Sequence, residues 1–373
     1  MRICVITSAD FPPEEGIGNY IYNMSKEFIR KGHDVTVVTR GNFQKTHLEY
    51  YDEIKIYRVP FIFIYPFHVH LHGIFVNKLF KSIENNFDVI HVHSPLPPLV
   101  KSKVPVLLTI HSPMKSGASV LEITDLFSLA TKFQSKYISY PLERKLITNS
   151  LMVTAVSSTV SKDLSCYGLK AEDIKLVYNG VDQNIFFPSG TKPKEKSILY
   201  TGRISYGKGL VELIDCAKEV CEIRDDVSFV FAGDGPLLSN LKKKVLDMNL
   251  QNQIKFLGRV NRKTIINLYQ NATIFAFPSY YEGLPGSLLE AMACQLPIVA
   301  TEVPGNIELI EHNRNGILIP PKNASAISKA ILELLDDPDK REKLGNNARK
   351  TIEDKFTWNA ISDRILNCYK SIL

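Results

Sequence analysis

Tyr280-Tyr281-Glu282-Gly283-Leu284-Pro285-Gly286-Ser287-Leu288-Leu289-Glu290-Ala291 connects a short apolar strand pattern, Ile274–Phe277, to a helical one. Pro285 suits a first helical position and Gly286 leaves room for a ligand, so the N–H groups of this helix start are free to face an anion. Glu282 and Glu290 stand eight positions apart, the first before the helix and the second in its second turn. Carboxylates repel phosphate but accept hydrogen bonds from hydroxyls. Phosphate at the helix start with hydroxyl-bearing groups on either side is a nucleotide-sugar pattern. The plainer alternative is a helix packing Leu288, Leu289 and Met292 into a core behind an incidental acidic loop.

Outward from this stretch, β-branched strand patterns alternate with helical ones along the whole chain. Strands are expected at Ile3–Thr7, Val35–Thr39, Ile54–Val59, Val89–His93, Val106–Ile110, Met152–Val156 and Lys175–Val177. A second series follows at Ile198–Thr201, Ser228–Ala232, Ile254–Leu257, Ile274–Phe277, Ile298–Ala300 and Ile317–Ile319. Helix Asn19–Lys31 shows Ile21, Met24, Phe28 and Ile29 on one face and stops at Gly32. Continuous apolar strands between helices indicate parallel sheets covered on both faces, an α/β class with two doubly wound, Rossmann-like domains. The polar stretch Pro188–Lys196 reads as the linker. The expected division is 1–188, 189–356 and a final helix, 357–373, packing back on the first domain. In such sheets ligands bind at the carboxyl ends of the strands.

Composition narrows the function. The chain has 373 residues, 45% hydrophobic and 23% charged, as in ordinary globular proteins. Its net charge of +6 is spread evenly: residues 1–188 hold 20 basic and 17 acidic side chains. No basic arm or face stands out, so nucleic acid is not an expected partner. The six cysteines form no C-x-x-C pair and read as reduced, small apolar residues of a cytoplasmic protein. No apolar run reaches membrane-spanning length, and the N-terminus lacks a signal-peptide core.

Further loops carry candidate chemistry. Gly202-Arg203-Ile204-Ser205-Tyr206-Gly207-Lys208-Gly209 follows a strand and places two cations where they can clamp a diphosphate; a solvated loop is the alternative. In Gly233-Asp234-Gly235, Asp234 is expected to cap the next helix. Gly16-Ile17-Gly18 fails as a dinucleotide fingerprint, since Ile21 stands where the third glycine belongs and no acid ends the second strand. Its backbone still suits phosphate or a reacting sugar. His111 ends a strand and suits hydrogen bonding to a sugar hydroxyl or proton transfer. His91/His93 and His68/His70/His72 have metal-like spacing without acidic or thiol companions, so no metal is expected. Pro60–Phe67, together with Phe127, Phe133, Tyr137 and Tyr140 interleaved with Lys132, Lys136, Arg144 and Lys145, fits either an interfacial patch on anionic lipid or core packing with a basic outer face.

Several of these motifs occur in one order. Gly16 to Gly18, Gly32–Thr39, His111, Val156-Ser157, Val177–Asp182, Phe187-Pro188, Gly202-Arg203 with Lys208-Gly209, Gly233–Gly235 and the Glu282/Glu290 pair together resemble the retaining GT-B glycosyltransferases of family 4, over nearly the whole chain. The resemblance implies a GT-B architecture, two Rossmann-like domains facing across a cleft, and transfer of a sugar from a nucleoside-diphosphate sugar to an acceptor hydroxyl with retention. It implies Arg203 and Lys208 on the donor diphosphate, Glu290 on the ribose hydroxyls, and Glu282 with Gly283, Leu284, Pro285 and Gly286 at the transferred sugar. His111 would face that sugar, with Gly16 and Gly18 near the diphosphate and acceptor. No cofactor and no metal are implied. The acceptor would be a glycan or lipid-linked, in polysaccharide or glycolipid synthesis, with peripheral membrane contact at the inner face of the membrane. Gln295 and Ile17 replace glycines usual in the family. A sugar-nucleotide epimerase of the same architecture is the alternative function, and a non-catalytic binding module a third.

Overall fold

The computed structural model describes residues 1–9, 11, 16–42, 45–65, 67–114, 133–190 and 195–373. The chain forms two compact units, Met1–Asn179 with Trp358–Leu373, and Gly180–Thr357. In chain order the first contains β1 (Arg2–Ile6), α1 (Gly16–Arg30), β2 (Asp34–Gly41), β3 (His47–Tyr51), β4 (Ile54–Pro60), α2 (His68–Ile83), β5 (Val89–Ser94), β6 (Val106–Ile110), α3 (Tyr140–Asn149), β7 (Met152–Ala155), α4 (Ser158–Asp163) and β8 (Ile174–Leu176). The second contains β9 (Lys196–Thr201), α5 (Leu210–Ile223), β10 (Val227–Ala232), α6 (Leu238–Asp247), β11 (Ile254–Gly258), α7 (Arg262–Asn271), β12 (Ile274–Phe277), α8 (Gly286–Ala293), β13 (Ile298–Thr301), α9 (Pro304–Ile307), β14 (Ile317–Ile319), α10 (Ala324–Asp336) and α11 (Pro338–Lys355). Helix α12 (Trp358–Ile372) returns to the first unit.

The first sheet has the order β3-β4-β2-β1-β5-β6-β7-β8, and the second β11-β10-β9-β12-β13-β14. All pairings are parallel except β3 with β4. Each sheet therefore changes winding direction once, between β1 and β5 in the first and between β9 and β12 in the second. Connections leave these neighbouring strand ends in opposite directions and open a crevice between them, the place where doubly wound sheets bind ligands.

Two expectations differ from the structure, and one strand was not expected. The division falls between Asn179 and Gly180, ahead of the polar stretch at 188. The intervening chain is held in the second unit because Arg349 donates from Nη1 to the carbonyls of Phe186 at 2.9 Å and Ala293 at 2.7 Å, and Phe186 itself is buried. Part of the linker reading, 191–194, lies outside the described residues. Helix α1 begins at Gly16, so Gly16 and Gly18 sit in its first turn and not in a loop before it. Strand β3 carries exposed Leu48 and Tyr50 and lacks the apolar run that marked the others.

Helix α12 completes the first unit's core. Ile361, Ile365, Leu366 and Tyr369 share one buried cluster with Ile3, Val5, Phe28 and Val37, and Lys31 Nζ donates to the Asn359 carbonyl at 3.1 Å. Ile365 is fully buried. Truncating such a side chain typically costs about 2–5 kcal/mol, so Ile365→Ala is expected to lower the urea midpoint of this unit accordingly, read by far-UV circular dichroism.

Candidate functional site

The second unit brings its two candidate loops together at the β9/β12 switch point. The loop after β9 ends in a short turn, Tyr206–Lys208, before α5, and Gly209 adopts φ 64° there. A Cβ on Gly209 would lie 2.0 Å from the carbonyl oxygen of Pro278, just beyond β12. Only glycine allows that conformation and that approach. The Tyr280 N–H donates to the Gly207 carbonyl at 2.9 Å and ties the loops a second time.

Across this seam Lys208 Nζ meets Glu282 Oε1 at 2.5 Å, with Glu282 buried. Beside the pair starts α8. Pro285 is its N-cap, with extended φ −76° and ψ 117°, rather than its first helical residue, and no side chain caps the helix start. Gly286 is exposed, and a Cβ there would meet nothing within 4 Å. The helix thus offers uncapped N–H groups and its positive dipole end to open space. Leu284 and Pro285 are buried and shape this approach, and Gly283 is partly exposed.

Glu290 lies one turn along α8, where its Oε2 accepts from the Tyr269 hydroxyl at 2.9 Å. That hydroxyl also lies 2.5 Å from Thr201 Oγ1, at the end of β9. Burial pushes the Glu290 carboxyl up to about 7, against the opposing hydrogen bond from Tyr269 and the attraction of Arg262. Glu282 and Glu290 therefore differ in kind: one is ion-paired, the other poised between its two protonation states near neutrality. Arg203 is exposed, and no hydrogen bond or ion pair joins its guanidinium to another described residue; its carbonyl accepts from Tyr200 at 3.0 Å. Asp234 does not cap α6: its carboxylate accepts from the adjacent Gly235 N–H, and the N-cap position is Leu237.

In the first unit, His111 directly follows β6, its N–H donating to the Ser94 carbonyl at 3.1 Å. Its Nε2 lies 3.1 Å from His93 Nδ1, and the Tyr20 ring packs edge-on against it at 4.8 Å. His91 lies behind, with Nδ1 2.7 Å from the Tyr369 hydroxyl and Nε2 2.6 Å from Thr109 Oγ1. Burial pulls His91 and His111 down to about 3 and His93 well below its ordinary value. Neutral imidazoles share one proton per hydrogen bond, so the His93 contact restricts which His111 nitrogen carries hydrogen. Gly16 is exposed at φ 62° and Gly18 buried; 12–15, which precede them, lie outside the described residues, as does most of the loop after Met114.

Sequence reasoning missed Tyr269, Tyr20 and the supporting role of His91 and His93. Their H-x-H spacing reads only as metal-like and is set aside; alternation on the buried strand β5 places both rings inside the sheet's packing. Among the described residues no group of three His, Cys, Asp or Glu side chains is arranged to hold a metal ion. Glu143, buried in α3, also went unread; it accepts from Ser94 Oγ at 2.5 Å and from the Met114 N–H at 2.9 Å, bracketing His111.

Comparison with known proteins agrees with this architecture. Residues 15–184 match the model of Glycosyltransferase Family 4, and residues 181–351 that of Glycosyl transferases group 1. An uncharacterized glycosyltransferase of Methanocaldococcus jannaschii is 28% identical over 99% of this chain and 98% of its own. Sucrose-phosphate synthase from Thermosynechococcus elongatus superposes with a TM-score of 0.79 at 21% identity, covering 99% of this chain and 98% of that one. The Anabaena HepE structure in complex with UDP-glucose gives 0.73 at 18%, covering both chains fully. The fold is GT-B.

The histidines have a measurable consequence. A folded pKa below the unfolded value near 6.5 means the unfolded chain binds more protons in acid, so their contribution is complete above pH 6.5 and is lost as pH falls towards the folded value. His91 is expected to cost about 2 kcal/mol between pH 6.5 and 5, and His93 adds to the loss in the same direction. Calorimetry should show Tm falling over that interval, with a smaller fall in His93→Gln.

Proposed function

The chain belongs to the glycosyltransferases of GT-B architecture, and from that premise we propose that it is a retaining, nucleotide-sugar-dependent hexosyltransferase. The observation that carries this reading is the β9/β12 switch point of the second unit: Lys208 pairs with Glu282 across the two loops there, the uncapped start of α8 follows Glu282, and Glu290 lies one turn along that helix. A donor diphosphate competes for Lys208 and takes the N–H groups around Gly286, with the unpartnered guanidinium of Arg203 as the second cation. Glu282, released from Lys208, accepts from hydroxyls of the transferred sugar, and Glu290 from those of the ribose. Gly283, Leu284 and Pro285 shape the sugar's end of the site.

In the reaction the bond between the anomeric carbon and the diphosphate oxygen breaks as the acceptor oxygen bonds to the same face of that carbon. The acceptor proton passes to the departing diphosphate oxygen. Charge grows on that diphosphate, and fixed cations together with a helix dipole stabilise it without a metal ion or an organic cofactor. The first unit contributes the acceptor side, with His111 as a neutral hydrogen-bonding group and the backbone at Gly16 and Gly18 available to phosphate or acceptor. We favour a growing glycan or a lipid-linked acceptor, in polysaccharide or glycolipid synthesis at the cytoplasmic face of a membrane. No helix among the described residues is long and apolar enough to cross one.

Thermal shift with UDP-, GDP-, ADP- and TDP-sugars tests the donor site, starting with UDP-glucose because the Anabaena relative was solved with it. One donor should raise Tm by several degrees in the wild type and not in Glu290→Ala; no shift with any of them rejects the reading. With the donor identified, Lys208→Met and Glu282→Gln should each lower kcat by about 10²–10³. Products assayed without acceptor separate transfer from epimerisation.

The raised Glu290 carboxyl adds a pH signature. If ribose hydroxyls bind its ionised form, donor affinity rises through its pKa near 7. Isothermal titration should then give a Kd about tenfold tighter at pH 8 than at pH 6. Glu290→Gln should abolish that dependence.

A further inference from the structure

The first unit has a second recess that sugar transfer does not explain, a groove of about 1010 Å³ between α2 and the helical turn Ser135–Ser139 that leads into α3. Helix α2 buries Val69, Val76 and Phe80 in the core, yet it also presents an apolar outer face. Phe67, Ile74, Lys78 and Lys81 follow one another at helical spacing along the groove. Ile74 is 64% exposed and Phe67 54%, far more than a packed helix leaves to such residues. Tyr137 and Pro141 form the facing wall with Leu99.

The charges around this trough have one sign. Lys78, Lys81, Lys101 and Lys145 line it, and no acidic residue does. None of the four forms an ion pair with a described residue. Arg144 borders the adjoining hollow, and Lys136 Nζ lies 5.1 Å from the centre of the Tyr137 ring. An exposed apolar trough bordered by ammonium groups on long stems complements an amphiphile with a hydrocarbon tail and an anionic head. A nucleic acid would leave the apolar walls unused, and a second copy of this face would bring the same four lysines into repulsion.

We propose that this groove docks the protein on an anionic phospholipid surface, with an acyl chain against Ile74 and Tyr137 and lipid phosphates at the lysines. The proposal deepens the lipid-linked acceptor reading and takes its functional sense from it, although docking itself requires no donor. Anionic headgroups attract each nearby lysine strongly enough to change binding about fivefold.

The test uses the full chain with vesicles of phosphatidylglycerol mixed with phosphatidylcholine, and with vesicles of phosphatidylcholine alone. Wild type should sediment with the first and not the second, and salt should release it. The triple variant Lys78→Gln, Lys81→Gln, Lys145→Gln should bind about a hundredfold more weakly, and Ile74→Asp should also lose binding. The only native tryptophan, Trp358, is buried, so an Ile74→Trp probe reports on the groove against a steady background. Its emission should move to the blue only when phosphatidylglycerol is present. Equal sedimentation of wild type and the lysine variant, or none for either, overturns the proposal. So does a probe already blue in dilute protein, which would mean that this chain covers the groove, or one that turns blue with protein concentration alone, which would mean a second copy. The donor-induced rise in Tm should persist in every groove variant, so failure of docking is distinguishable from failure of the donor site.

Discussion

The second unit depends on a close backbone contact. Gly209 passes so near Pro278 that any side chain would collide with its carbonyl oxygen, and this packs the loop after β9 against the loop after β12. Parallel strands alone would place the two strand ends side by side and leave their loops free to diverge. Gly233 repeats the device one strand over, where a Cβ would fall 1.9 Å from the Gly202 carbonyl oxygen. Three loops are thereby layered backbone on backbone, and side chains are reserved for the face that looks into the crevice. A site assembled this way is rigid before ligand arrives, which limits the reorganisation required during reaction.

Electrostatics then differentiates two residues of one type. Glu282 is buried and bound to a cation, whereas Glu290 is half-buried beside a tyrosine hydroxyl and desolvation raises its carboxyl to about 7. The cation that steadies Glu282 is also the one an incoming diphosphate wants, so the free site stores its own countercharge. Arg203 stands apart, exposed and uncommitted. Pairing one cation and leaving the other loose avoids concentrating unbalanced positive charge in the crevice.

Much of this was legible in the sequence, for physical reasons. Strands buried on both faces must be continuously apolar, so Val89–Ser94 and Ile298–Thr301 stood out, while the half-exposed edge strand His47–Tyr51 did not. Glu282 and Lys208 stood out as candidates because glycines and prolines mark their loops, and Gly286 and Glu290 because Pro285 and Gly286 mark the start of the helix that carries them. Tyr269 was invisible: it projects from the last turn of α7, and only the tertiary fold brings its hydroxyl to Glu290 and Thr201. The unit boundary was misplaced for a related reason. A polar stretch looks like a linker, but three hydrogen bonds from Arg349 and Gln270 to the carbonyls of Phe186, Ala293 and Phe187 decide where the preceding chain belongs. The aromatic and basic residues after Met114 that suggested a lipid-facing patch lie partly outside the described residues; of those within, Tyr137 and Lys145 line a groove, whereas Tyr140 packs against the core.

Helix α12 makes the first unit discontinuous and the second an insertion within it. During synthesis the second unit can therefore close its core as an uninterrupted stretch while the first still lacks a wall over Ile3, Val5 and Phe28. Val181 and Thr357, paired in a parallel bridge, bring the insertion's two ends together. The nascent first unit must wait with an apolar flank uncovered until Trp358 and the residues after it leave the ribosome. In that interval its exposed surface is a target for chaperones. The order of maturation is thus the reverse of the order of translation, and the earliest residues made are among the last to be sealed.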